Sequence, residues 1–126
     1  MCIRDSNTKY DHWQGAQIIS AGKCANNITG CPANVQAFWV AYGKEMLAKL
    51  DVLPARHGAY IHNCQSHCQT GPGPWTTDTV NGSHMYAAVT EWYAAALEGK
   101  QGGLPRHVDR CDLVPCKGDI CDGRPY

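Results

Sequence analysis

From Asn34 to Leu50 the apolar residues Val35, Phe38, Trp39, Tyr42, Met46, Leu47 and Leu50 recur mostly three or four positions apart, the period of an amphipathic helix. Pro32 and Asn34 suit its first turn. Pro54 lies beyond its end, where a residue without an N–H cannot continue the ladder. Phe38 and Trp39 are expected in the core. A second helix is expected to open near Ser83, whose hydroxyl can accept from unpaired backbone N–H groups, and to run through Met85, Val89, Trp92, Tyr93 and Ala96. Gly99 should end it in a left-handed turn. Between the helices, the run from Gly58 to Cys64 holds Tyr60 and Ile61 and predicts a short strand that emerges into a loop rich in Cys and His. Gly71-Pro72-Gly73-Pro74 must be loop, with Trp75 packed beneath it, and the chain beyond Gly99 is expected to be irregular.

Helix, strand, polar loop and helix in that order predict an α/β protein, a class in which sites gather at the carboxyl ends of strands. One strand is evident, and a sheet needs several, so an incomplete sheet is expected. The sequence holds no repeats and no low-complexity tract.

Composition narrows the classes. Eleven Lys and Arg balance eleven Asp and Glu in 126 residues, so no charge excess points to nucleic acid or an anionic membrane. No run approaches the roughly 20 apolar residues that span a bilayer. Hydrophobic residues at 44% with only 17% charged exclude a disordered tail. Eight cysteines change the picture most, because that density implies an oxidising compartment or a metal site. The triplets Asn27-Ile28-Thr29 and Asn81-Gly82-Ser83 fit the N-glycosylation pattern and favour a secretory route.

The first six residues, Met1-Cys2-Ile3-Arg4-Asp5-Ser6, resemble a translated adapter and lack the apolar core of a signal peptide. Residues 1–6 are therefore set aside as a non-native leader, and 7–126 are expected to be the C-terminal portion of a single domain. Without Cys2 the disulfide candidates are Cys24, Cys31, Cys64, Cys68, Cys111, Cys116 and Cys121. The last three, around Pro115, predict a stapled tail. An odd number leaves one thiol whose partner lies outside the chain.

The densest chemical cluster is His62, Cys64, His67 and Cys68. Its bland reading is a disulfide-tied loop with incidental histidines. Zinc would need four converging ligands, and the adjacency of His67 and Cys68 makes that awkward, so no metal is expected. Of the four serines, Ser6, Ser20, Ser66 and Ser83, only Ser20-Ala21-Gly22 touches on a nucleophile elbow, and Ile18 stands where its first glycine belongs. A base is available in His67, and acids are available, but a nucleophile is not. Asp11 on its own residues reads as a helix N-cap before Trp13 to Ile18.

The run Gly58-Ala59-Tyr60-Ile61-His62-Asn63-Cys64-Gln65-Ser66-His67-Cys68-Gln69-Thr70 resembles the histidine motif of the pectin acetylesterase family, related to the Notum lipid deacylases. Tyr10-Asp11-His12-Trp13-Gln14 resembles that family's acid motif, and Cys24 with Cys31 its short cysteine loop. Glu91-Trp92-Tyr93 and the terminal cysteines follow in the same order. The resemblance implies the C-terminal part of an α/β-hydrolase fold, with His67 as general base and Asp11 as the acid that orients it. The serine would lie upstream. It further implies a secreted or cell-wall carboxylesterase, without cofactor and monomeric when complete, acting on acetylated polysaccharide. The fragment alone would be inactive. Removal of a lipid acyl group from a protein is the rival substrate, and a small secreted disulfide-bonded binding module is the rival class. Asn63, the spacing of the terminal cysteines and an insertion from Gly99 to Gly103 depart from the plant pattern.

Overall fold

The computed structural model describes residues 3–11, 14, 17, 24, 27–65, 73–100, 102–121 and 124–125. Three strands, β1 (Ile3–Thr8), β2 (Gly58–His62) and β5 (Arg106–Val108), form a parallel sheet in the order β1-β2-β5. The chain is thus an α/β protein, and its sheet is fuller than the single expected strand. β5 lies in the stretch expected to be irregular. β1 takes in Ile3 to Ser6 of the leader set aside above, since a backbone ladder forms whatever side chains it carries.

All five residues of β2 are buried, as a central parallel strand covered on both faces requires. The long helix α1 (Ala33–Asp51) connects β1 to β2 and agrees with the periodicity to within a residue at each end. Its Leu47 and Leu50 pack on Ala59 and Ile61. On the opposite face Tyr60 packs with Val80, Met85, Ala88 and Trp92. The alternation of Ala59 and Ile61 against Tyr60 is the two-residue period of a strand.

α1 turns Trp39, Gly43, Leu47 and Leu50 inward, while Phe38 is 48% exposed. The expected burial of Phe38 is therefore corrected. It stacks on Tyr42 at the helix surface, whereas Trp39 meets Tyr10 edge-on in a third cluster with Ile28. Arg106 closes the carboxyl end of α1, donating to the carbonyls of Leu50, Leu53, Pro54 and His57. Two of them also accept from the backbone, Leu50 O from Leu53 N at 3.1 Å and Pro54 O from His57 N at 2.9 Å.

Past β2, a single helical turn, α2 (Pro74–Thr77), begins with proline where its missing N–H is harmless. Trp75 packs against the Tyr60 cluster. A hairpin follows, β3 (Thr79–Val80) and β4 (Ser83–His84), joined by Asn81 and Gly82 at φ 53° and 74°. Both values are left-handed, the signature of a type I′ turn that Asn-Gly favours. Ser83 is therefore a strand residue and not the helix cap, and its carbonyl accepts from the Tyr60 hydroxyl at 2.9 Å. The helix α3 (Met85–Leu97) starts after His84 and buries Met85, Ala88 and Trp92. Tyr93 stays exposed. Gly99, at φ 64°, ends α3 as expected, with Gly99 N donating to Ala96 O and Lys100 N to Ala95 O. β3 also pairs with β6 (Ile120–Cys121), which pairs with β7 (Arg124–Pro125), giving a small antiparallel sheet.

Gly58 lets α3 approach β2. A Cβ there would lie 2.4 Å from Trp92 Cε2 and 2.5 Å from its Nε1. The indole cannot retreat freely, because Nε1 donates to Pro105 O at 3.0 Å. Gly58→Ala is expected to destabilise the fold by about 1–3 kcal/mol through overpacking. Urea unfolding followed by tryptophan fluorescence measures this, and a change within about 0.5 kcal/mol, the range of ordinary surface substitutions, would contradict it.

Three disulfides join Cys24 to Cys31, Cys64 to Cys121, and Cys111 to Cys116. Such pairs indicate formation in an oxidising environment. Cys2 and Cys68 lie outside the described residues. Among the described residues no helix is long and apolar enough to cross a membrane.

Candidate active site at the carboxyl ends of the parallel strands

β1 and β2 end in register, with Thr8 paired to His62, so the segments that follow them leave the same edge of the sheet side by side. Lys9 N donates to His62 O at 2.8 Å, and the Thr8 hydroxyl donates to Cys64 O at 2.5 Å. After β5, Asp109 N donates to Ile61 O at 2.8 Å. The Asn63 amide then donates to Cys111 O and Val114 O, at 2.6 and 2.8 Å, while Tyr10 Oη accepts from Leu113 N at 3.0 Å. Residues after all three strands thus interlock at one end of the sheet. Parallel α/β sheets present ligands there because the crossover loops diverge at that end.

Asp11 stands three residues past β1 and is buried. One of its carboxylate oxygens accepts from Gln14 N at 2.8 Å, the bond of an N-cap. A carboxylate has two oxygens and about four lone-pair positions, so capping leaves capacity to accept from an imidazole as well. His67 follows β2 by five positions and lies outside the described residues. The chain that leads to it is held at Cys64, which is bonded to Cys121 and thereby to β6. In this oxidised form Cys64 has no thiolate for a metal.

Two buried charges support the platform. Lys9 donates from Nζ to Cys111 O at 2.5 Å and lays its stem against Gly43, where a Cβ would come within 3.0 Å of Lys9 Cδ. Burial lowers its pKa, an effect that Asp109 partly opposes. Asp109 accepts from Cys111 N at 3.0 Å and Cys116 N at 3.2 Å, one carboxylate oxygen for each. Burial raises its pKa against the opposing pull of those two bonds. Lys9 carries no sequence signal, since its bond to Cys111 joins positions 102 apart in the chain.

Asp109→Ala would leave two backbone donors without their acceptor, an expected loss of roughly 1–3 kcal/mol for each one left buried and unpaired. The pH dependence has a definite sign. With its folded pKa above the unfolded value, Asp109 contributes most when protonated in both states and contributes less as pH rises through the raised value. The stability gap between wild type and Asp109→Ala should narrow as pH rises from the ordinary carboxylate range. Urea midpoints across pH measure it, and a widening gap would contradict it.

Asn27 and Asn81, the glycosylation candidates, are both exposed on turns. The Asn27 carboxamide accepts from the Thr29 hydroxyl at 2.7 Å. Trp92, of the Glu91-Trp92-Tyr93 segment, is core packing. No family model, curated protein or solved structure matches the chain.

Proposed function

We propose that this chain is the C-terminal part of a secreted serine carboxylesterase of the pectin acetylesterase type, with Asp11 as its acid and His67 as its base. The observation that carries the reading is the chain order at one sheet edge. The acid follows β1, the base follows β2, and the two strands are adjacent, parallel and end in register. Acid before base is the order of an α/β-hydrolase triad whose serine comes first.

In that mechanism His67 takes the proton of an upstream serine as its hydroxyl attacks the ester carbonyl. It then returns the proton to the leaving alcohol, and repeats both steps with water to release the acid. Asp11 holds the ring in the right tautomer and stabilises its charged form. The serine elbow and oxyanion donors come from upstream of the chain. The substrate class is acetylated pectin, with a lipid acyl ester on a protein as the rival, and the complete enzyme is a monomer that needs no cofactor.

A second reading has its own observation. Six cysteines pair within the described residues, two pairs of them across short loops, as a self-contained disulfide-bonded binding module would do. Thiol mapping of the intact eight-cysteine chain separates the two. The hydrolase reading expects a reactive thiol at Cys68, and the module reading expects none, with Cys68 paired to Cys2. An upstream reading frame with a Gly-x-Ser-x-Gly segment is the second expectation. A complete frame without one would overturn the hydrolase.

A further inference from the structure

On the α3 side of β2, imidazole, carboxylate and sulfur meet in a buried cluster. Donor atoms of His62, Cys64 and Asp78 all lie within 4.8 Å of one another, and all three residues are buried. Cys121 lies outside that group, but its sulfur is bonded to that of Cys64 and would supply a fourth donor on turning toward the other two. One nitrogen, one oxygen and two sulfurs make a four-donor set of the kind that holds tetrahedral zinc. In the disulfide both sulfurs are uncharged and the set is incomplete. We propose that the Cys64–Cys121 disulfide gates a zinc site, which His62, Asp78 and the two cysteines form once that bond is reduced. The proposal stands apart from the hydrolase reading.

The chemistry balances. A thiol reductant gives two electrons to the S–S bond and is itself oxidised to a disulfide, while each released sulfur takes a proton. Zn²⁺ then displaces both protons and forms two Zn–S bonds beside one Zn–N and one Zn–O bond. Bonds of about 2.0–2.3 Å to a tetrahedral ion place its ligands about 3.4–3.8 Å apart. Closing from separations of up to 4.8 Å to that spacing calls for side-chain movements of about 1 Å among His62, Cys64 and Asp78. The two cysteine Cα atoms are already 5.5 Å apart, so the sulfurs can separate without moving the backbone.

The electrostatic setting favours a cation. Among the described residues four carboxylates are buried, Asp11, Asp78, Asp109 and Asp119, against one buried ammonium, Lys9. Asp119 Oδ1 accepts from Asn81 N at 2.8 Å, while its Oδ2 is buried without a hydrogen-bond partner. Both Asp78 and Asp119 act on Tyr60, whose ring lies 6.2 Å from that of His62. A second cluster, Asp109, Cys111 and Cys116, offers three donors. Both oxygens of its carboxylate are already engaged with backbone N–H groups, which makes it the weaker site.

The test uses the wild-type chain, reduced with dithiothreitol, desalted without oxygen, and alkylated with iodoacetamide with and without one equivalent of Zn²⁺. Peptide mass mapping then reads each cysteine separately. Zinc should slow alkylation of Cys64 and Cys121 by about tenfold or more and leave Cys24, Cys31, Cys111 and Cys116 unchanged. The oxidised chain should bind no zinc, and His62→Ala should lose affinity by about tenfold or more. Absence of zinc-dependent shielding at Cys64 and Cys121 would overturn the proposal. So would shielding of Cys64 with Cys68, shielding of Cys111 with Cys116 in place of Cys64 with Cys121, or undiminished affinity in His62→Ala.

Discussion

Replacing Cys64 and Cys121 together with serine is expected to lower the unfolding free energy by about 4 kcal/mol, the loop-closure value for a bridge of this span. The cysteines are 57 residues apart in sequence, against 7 and 5 for the other two bridges. Those short loops are worth only about 2 kcal/mol each by the same relation. The long bridge also joins the segment after β2 to β6, so it links the parallel sheet to the antiparallel one. Since domains of this size are stable by about 5–15 kcal/mol, its loss removes a large fraction of the whole. Urea unfolding of the oxidised variant, followed by fluorescence of the buried Trp39 and Trp92, should show a midpoint lower by more than about 1 M. A difference no larger than that of a Cys111→Ser/Cys116→Ser variant would contradict the expectation.

On the proposed hydrolase reading, in a chain extended upstream through a Gly-x-Ser-x-Gly segment, His67→Ala is expected to lower kcat by about ten-thousandfold or more, and Asp11→Asn by somewhat less. A triad acts as one unit, so the double variant should be no slower than His67→Ala alone. Asp11→Asn also separates the two roles of that residue. Asparagine caps helices about as well as aspartate and can still accept the Gln14 N–H, so a residue that only caps would show unchanged stability and unchanged turnover. A residue that orients the imidazole would show unchanged stability with lost turnover. Multiplicative losses in the double variant would mean that the two residues do not act together.

Much of the fold was legible wherever one face of a long element is apolar. Helix α1 carries its period over 17 residues, and Gly99 stops α3 through a conformation that glycine adopts without strain. β1 and β5 were hidden for the opposite reason. Ile3-Arg4-Asp5-Ser6-Asn7-Thr8 is polar throughout most of its length, and Arg106-His107-Val108 is too short for alternation. Both are strands because their backbones complete the ladder of β2, which is a long-range fact. Asn81-Gly82 carried two meanings, a glycosylation triplet and a type I′ turn, and the turn fixes the hairpin that makes Ser83 a strand residue.

Of the candidate site, the parallel register of Thr8 and His62 could not be read from the sequence, yet it brings the chain after Asp11's strand beside the chain that leads to His67. Asp11 and His67 were singled out by short motifs in a shared order, and of the two the structure describes Asp11. Lys9 and Asn63 were not, because each bonds a backbone group remote in sequence, and Asp109 was not, because its bonds to Cys111 N and Cys116 N depend on how the irregular tail folds around it.

The most direct test of the central proposal is a paired assay of p-nitrophenyl acetate hydrolysis by this 126-residue chain and by the same chain extended upstream through the proposed serine. The expected result is no hydrolysis by the short chain above a heat-killed control, with turnover by the extended chain that His67→Ala abolishes. Turnover by the short chain that His67→Ala abolishes, or turnover by the extended chain that survives this substitution, would contradict it.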